Sequence, residues 1–289
     1  MTLTIGSPCA GVGGLEMAVS MVLDAEPLWF AEKDAGASKV LAHHWPTVPN
    51  YGDITTVDWA SVEPVDVLAA GFPCQDLSYA GRGAGIRKGT RSGLWFAIAD
   101  AVGALRPSLV VLENVGALVD RRPGLDVVLA SLAELGFDAE WKAGPASDVG
   151  ACHSRVRVTI AAWPSSSDTC RARLQGHRRR RGPGAGERHP APGAATAVAP
   201  AQFWREYTPA IRRWEHVLGR PAPWPVDEAG NETPAWAEWQ MGLPAGHLTD
   251  VPGLSRTAAL KAAGNGVVPL QIAQALDVLL DRMGSEVAA

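Results

Sequence analysis

The sequence predicts an α/β fold: a doubly wound, mostly parallel sheet with a small irregular region after it. Three observations carry this. Over the first 160 or so residues, short apolar runs alternate with helical patterns, as repeated βα units require. Two runs, Val65-Asp-Val-Leu-Ala-Ala and Leu109-Val-Val-Leu, are almost wholly apolar, the mark of central parallel strands covered on both faces. After Trp163 the chain becomes rich in Ser, Pro, Gly, Ala and Arg.

Taken in order, strands are expected near Thr2–Ile5, Leu28–Glu32, Val65–Gly71, Leu109–Glu113, Phe137–Ala143 and Val156–Trp163. Helices are expected at Leu15–Asp24, Asp34–His44, Gly93–Leu105 and Leu125–Leu135. Ligands of such a sheet bind at the carboxyl ends of its strands. Three regions follow: 1–163 as catalytic and cofactor-binding domain, 164–230 as a small irregular region with a helix at Pro209–Leu218, and 231–289 as a segment returning to the first domain, ending in a helix through Met283. Trp204, Trp214, Trp224, Trp236 and Trp239 crowd the later regions and are read mainly as core, with base stacking as the minor alternative.

Composition narrows the classes. The 289 residues are 47% hydrophobic and 19% charged, ordinary for a globular enzyme. No apolar run approaches the ~18 residues of a membrane span, and the N-terminus has no basic segment leading into an apolar one, so a cytoplasmic protein without membrane association is expected. Cys9, Cys74, Cys152 and Cys170 form no Cys-x-x-Cys pair, which argues against a zinc cage or a disulfide framework; no metal is expected. The net charge of -4 conceals an asymmetry. Residues 165–220 hold eleven Arg, no Lys and four acids, a net of +7, leaving -11 on the rest of the chain. A basic segment on an acidic body points to a polyanionic partner, with Arg178, Arg179, Arg180 and Arg181 as its densest run; a solvated loop is the plain alternative.

Chemistry concentrates at predicted strand ends. Ser7-Pro-Cys-Ala-Gly-Val-Gly-Gly-Leu-Glu16 is a strand, a Gly11-x-Gly13-Gly14 turn and a helix start, which lets backbone approach a nucleoside closely. Glu32 falls at the next strand end, at a spacing suited to ribose hydroxyls; NAD, FAD and S-adenosylmethionine sites share this pattern. Asp53 falls where a third strand would end near an adenine, although a turn-forming Asp reads equally well. Cys74 follows Pro73 at the mouth of an apolar strand, where a thiol facing a cleft becomes a nucleophile and an inert thiol is the usual alternative. Glu113 closes the neighbouring apolar strand, and poor solvation there raises its pKa toward a proton-donor role. His153, Arg155 and Arg157 alternate on one side of a strand, as an internal ion-pair ladder or as a substrate clamp.

Gly71-Phe-Pro-Cys-Gln75, Glu113-Asn-Val115, the Arg155-x-Arg157 strand and Gly264-Asn-Gly-Val-Val-Pro269 occur in this order. Together they resemble the DNA (cytosine-5) methyltransferases of bacteria and phage, over roughly residues 1–163 and 230–283. The resemblance implies a Rossmann-like, S-adenosylmethionine-dependent methyltransferase sheet with a small irregular target-recognition domain at the basic segment. It implies Cys74 as the nucleophile toward cytosine carbon-6, Glu113 on the ring nitrogen and exocyclic amine, and Arg157, with Arg155 behind it, holding the base carbonyl and the loop. For S-adenosylmethionine it implies Gly11, Gly13 and Gly14, Glu32, Asp53, Ile54, Leu94, Asn265 and Val267, bordered by Cys9 and Pro73. The loop Ser78–Gly93, whose Arg82, Arg87 and Arg91 suit phosphates, would close over double-stranded DNA, with Ser78 and Gln75 also at the DNA and the target base flipped out of its stack. The implied enzyme is a monomer, and a cognate restriction endonuclease, where one accompanies it, acts separately.

The chain departs from the family pattern in three places. Pro8-Cys9 stands where an aromatic is usual, His153 where a Gln is usual, and the recognition region is short. Two other functions compete. A nicotinamide-dependent oxidoreductase would explain the glycine turn and Glu32 but leaves Pro73-Cys74-Gln75 and Glu113-Asn114 idle. A silent DNA-binding relative would have no use for Cys74, Glu113 and Arg157. An RNA-methylating relative shares the same motifs.

Overall fold

The computed structural model describes residues 1–72, 86, 93–120, 123–166, 168–179 and 199–285. Six strands form one sheet: β1 (Leu3–Pro8), β2 (Ala25–Ala31), β3 (Val67–Gly71), β4 (Leu109–Val115), β5 (Phe137–Pro145) and β6 (Val156–Pro164), in the order β2-β1-β3-β4-β6-β5. The pairs from β2 to β4 are parallel, whereas β6 runs antiparallel to both β4 and β5. The sheet is therefore mostly parallel, with β6 as its one reversed strand.

The central strands are covered on both faces. Val67 and Ala69 of β3 and Leu109 and Val111 of β4 face one buried cluster, while Leu68, Ala70, Val110 and Leu112 face the other. The first cluster is closed by α1 (Gly14–Val22) and α10 (Pro269–Ser285), the second by α3 (Leu94–Leu105) and α5 (Leu125–Glu134). A side-chain period of two, apolar on both phases, is what a doubly covered strand demands. The C-terminal helix thus packs against the first.

β1 extends to Pro8, beyond the predicted end at Ile5. The Gly-Ser-Pro that reads as a turn is strand because Gly6 is needed there: a Cβ on Gly6 would sit 2.1 Å from the Trp29 ring. β2 likewise starts at Ala25, before Pro27, which a sheet edge tolerates. No strand ends at Asp53. Phe30 makes an isolated bridge to Asn50, and turns follow up to β3. His153 and Arg155 both precede β6, so of the three alternating residues only Arg157 lies on the strand.

The 164–230 region has no separate core among the described residues. α6 (Asp168–Gly176) buries Leu174 in the cluster under α1 and α10. α7 (Thr208–Leu218) joins a third cluster with α2 (Ala35–His44), α8 (Pro234–Gln240) and α9 (Arg256–Asn265). Trp204, Trp214 and Trp239 are buried in it, and Trp224 and Trp236 pack against it. Trp214 Nε1 donates to the Trp239 carbonyl at 3.0 Å. A short α4 (Ala117–Asp120) follows β4.

Candidate active site

The carboxyl ends of β1 to β4 open into one cleft of about 300 Å³. At its floor the chain leaves β1 through Cys9, which takes a left-handed φ of 59°, and turns through Gly11 (φ 58°) and Gly13 (φ 85°) into α1. Cys9 is held by its amide on the Ala31 carbonyl at 2.8 Å. Burial, aided by the Glu32 carboxylate, pushes the Cys9 thiol up to about 12, so it is not a thiolate. Glu32 stands directly after β2. Its carboxylate accepts from the Gly11 amide at 2.8 Å and the Asp34 amide at 2.7 Å, which fixes the turn against the second strand. Burial raises the Glu32 pKa, and these two amides oppose that rise.

Asp53 reaches the cleft from a turn. Its Oδ1 accepts from the amide and hydroxyl of Thr55, and its Oδ2 pairs with Lys33 at 3.2 Å. The Thr55 amide first, then its hydroxyl and Lys33, hold its carboxyl below the usual range. The C-terminal segment closes the far wall. A Cβ on Gly14 would lie 3.0 Å from Val267 Cγ2, so the helix start and the 264–267 turn touch directly.

The other end of the cleft is built by β3, β4 and β6. Register pairs Gly71 with Glu113 and Val115 with Arg157. Because β6 is reversed, its first residues arrive at the edge where β3 and β4 leave. Arg157 Nε meets Glu113 Oε1 at 2.8 Å, both nearly buried, and Arg155 Nη2 donates to the carbonyls of Gly264 and Gly266 at 2.9 and 2.8 Å. Arg157 is thus in an internal ion pair, and Arg155 ties the start of β6 to the C-terminal turn. Burial raises the Glu113 pKa, outweighing the opposing charges of Arg157 and Arg155.

Cys9, Gly11, Gly14, Glu32, Asp53, Ile54, Leu94, Glu113, Arg155, Arg157, Asn265 and Val267 all line this single cleft. Gly13 does not; its Cα faces Trp45, whose ring would be 2.4 Å from a Cβ there. Pro73, Cys74, Gln75, Ser78, Arg82, Arg87, Arg91, Arg180 and Arg181 lie outside the described residues. Arg178 and Arg179 are paired within the chain. Arg178 is paired with Asp277 and Asp281 of α10, and Arg179 with Asp24 at 3.5 Å. The segment bridges to Leu23, and the Asp24 carbonyl accepts from Leu3 at the start of β1, so both arginines lie at the sheet edge opposite the cleft. Arg178 is thus held by α10, while Arg179, about half exposed, makes only a long surface pair.

Several cleft residues were given no individual role from sequence, among them Asn114, Phe72 and Lys33. Asn114 donates to the Phe72 carbonyl at 3.1 Å, tying the exit of β3 to the end of β4; its place between Glu113 and Val115 was the available signal. Phe72 and Lys33 also line the cleft, each one residue beyond an expected strand end.

The C-5 cytosine-specific DNA methylase profile matches residues 3–178. The chain belongs to the C-5 cytosine-specific DNA methylase family. Among named relatives, the Type II methyltransferase M.NlaIV of Neisseria lactamica is 36% identical over 139 residues, covering 45% of this chain and 33% of that protein. The Type II methyltransferase M.NgoBV of Neisseria gonorrhoeae is 35% identical over 144 residues, covering 47% and 34%. A DNA N-6-adenine-methyltransferase of Escherichia phage P1 is 35% identical over 161 residues, covering 51% and 21%. The chain spans about a third of the length of the two Neisseria relatives. In fold, it superposes on the S. pombe Dnmt2 methyltransferase with a TM-score of 0.64 at 12% identity, covering 97% of this chain and 99% of that one. Spodoptera frugiperda DNMT2 gives 0.61 at 16% identity, covering 96% and 99%.

C-5 cytosine methylases use S-adenosylmethionine, and the cleft fits it. The glycine turn leaves room where a Cβ on Gly11 would meet nothing within 4 Å. Glu32 offers lone pairs to ribose hydroxyls, Asp53 an acceptor for an exocyclic amine, and Ile54, Phe72, Leu94 and Val267 apolar walls. When bound, S-adenosylmethionine supplies the methyl group.

Proposed function

We propose that this protein methylates carbon-5 of cytosine in a specific duplex DNA sequence, working as a monomer in the cytoplasm of a bacterial or phage-infected cell. The observation that carries the reading is the buried Glu113–Arg157 pair sharing one cleft with Glu32 and the glycine turn. An acid that can hold a proton and a guanidinium that can hold a carbonyl suit a pyrimidine edge, next to where a methyl donor is bound.

In this reading the target base leaves its stack, because carbon-6 is unreachable inside a duplex. The Cys74 thiolate adds to carbon-6 while Glu113 engages the ring nitrogen and exocyclic amine, and Arg157 holds the base carbonyl. Carbon-5, now nucleophilic, takes the methyl group. A base removes the carbon-5 proton, and the electrons of that bond expel the Cys74 thiolate, leaving 5-methylcytosine. Burial raises the Glu113 pKa against the opposing charge of Arg157, the direction that a proton-carrying role beside the ring nitrogen asks.

The test is methyl transfer from tritiated S-adenosylmethionine to unmethylated genomic DNA, with tRNA in a parallel reaction, followed by base analysis. Label in 5-methylcytosine of DNA is expected. Label confined to tRNA, or in N6-methyladenine, overturns the substrate, and no label in either overturns the activity.

A further inference from the structure

The glycine turn is gripped from outside the cleft. The Val12 carbonyl accepts from His247 Nε2 at 2.7 Å, which fixes that ring as the Nε2-H tautomer. His247 is 2% exposed and is not a cleft residue, so the carbonyl is turned away from the ligand space. The His44 ring stacks on His247 at 4.2 Å and 8°, and His44 Nε2 donates to the His247 carbonyl at 2.9 Å. Trp45 lies edge-on to the His247 ring and fills the space above Gly13. The His247 backbone is itself held: Glu238 accepts from the amides of Gly246, Leu248 and Thr249 at 2.9, 2.7 and 3.1 Å.

We infer that His247, braced by His44, is a positioning residue that sets the Gly11–Gly14 turn for S-adenosylmethionine. It touches no reacting atom. A turn with three glycines has many unbound conformations, and orienting one peptide from behind removes most of them before the ligand arrives. The same segment reaches the catalytic end of the cleft, since the Gln240 carbonyl meets His153 Nε2 at 3.1 Å, two residues before Arg155. His247 thus couples the C-terminal lobe to the turn that Glu32 fixes from the other side. The inference rests on the cleft being the S-adenosylmethionine site.

The test is calorimetric titration of S-adenosylhomocysteine into wild type, His247→Leu, His247→Gln and His44→Ala, with the KM values for S-adenosylmethionine and for DNA measured on each. His247→Leu removes the donor and is expected to weaken S-adenosylhomocysteine binding by about tenfold, the worth of one hydrogen bond. Its KM for S-adenosylmethionine rises while kcat and the KM for DNA hold, a split that a general loss of structure would not produce. His247→Gln keeps an N–H for the Val12 carbonyl and recovers most of the affinity; His44→Ala loses a few-fold. Unchanged cofactor affinity in His247→Leu, or equal losses for cofactor and DNA, overturns the inference. If His247→Leu does not fold, the other two decide: equal, wild-type affinities in both overturn it. Failure of wild type to bind S-adenosylhomocysteine at all refutes the cofactor site instead.

Discussion

Glu16 illustrates how far one residue can shift the behaviour of the chain. It lies on the first turn of α1 and is fully buried, and burial lifts its carboxyl to about 7, the Ser7 hydroxyl opposing only in part. A folded pKa above the unfolded 4.5 means the native state binds more protons between those values. Stability is therefore complete below pH 4.5 and declines as pH rises through 7, by up to roughly 3 kcal/mol. His247 has the opposite sign: burial lowers it from 6.5 to about 4, so stability is lost as pH falls through that window. In the overlap the two slopes oppose each other. Glu16→Gln should gain stability over wild type at pH 8 but not at pH 4.5, and its urea midpoint should then rise with pH between 4 and 6.5. Parallel wild-type and variant curves from pH 4.5 to 8 would remove Glu16 from this role. At the reacting centre, Cys74→Ser should abolish methyl transfer with S-adenosylhomocysteine affinity nearly unchanged; loss of folding would mark the thiol as structural. Glu113→Gln should lower kcat by about 10²–10⁴, the usual worth of a proton-transferring group, in single-turnover assays.

At the scale of elements, the glycine turn separates two effects that sequence alone merges. Gly13→Ala meets the Trp45 ring at a positive φ, so its main loss should be stability, about 1–3 kcal/mol by chemical denaturation. Gly11→Ala meets no protein atom, and its methyl enters the cleft, so it should lose cofactor affinity by more than its melting temperature implies. Most elements were legible: the apolar runs at 65–71 and 109–113 became β3 and β4 because strands covered on both faces permit no polar phase. The extension of β1 was not, since Gly6 reads as a turn until Trp29 is seen lying against it. α8 and α9 were missed, although Thr233 and Ser255 cap them through their side chains and Pro234 opens the former. Those signals lie in a stretch rich in Pro, Gly and Ala.

For the whole molecule, net charge along the sequence does not by itself say where charge is used. Among the described residues of the +7 segment 165–220, Arg173 pairs with Asp66, Arg178 with α10 and Arg179 with Asp24. Arg178→Ala should cost up to about 1 kcal/mol of stability and leave the salt dependence of DNA affinity unchanged. A flatter slope of affinity against salt in that variant would return Arg178 to the phosphate contacts. The cleft was the more legible feature, since motif residues far apart in sequence carry the types a nucleoside and a base need. What sequence could not supply was the grip from behind, where His247 and Val12 are 235 positions apart.

The far wall of the cleft has a consequence for how the protein comes into being. Residues 264–267 complete a pocket begun by residues 9–14, so on the ribosome the pocket cannot close until the chain has been made through Val267. A nascent chain stopped before Gly264 would carry every motif through Arg157 and yet lack Asn265, Val267 and the carbonyls that Arg155 needs. Until those residues have been made, the cleft lacks its far wall.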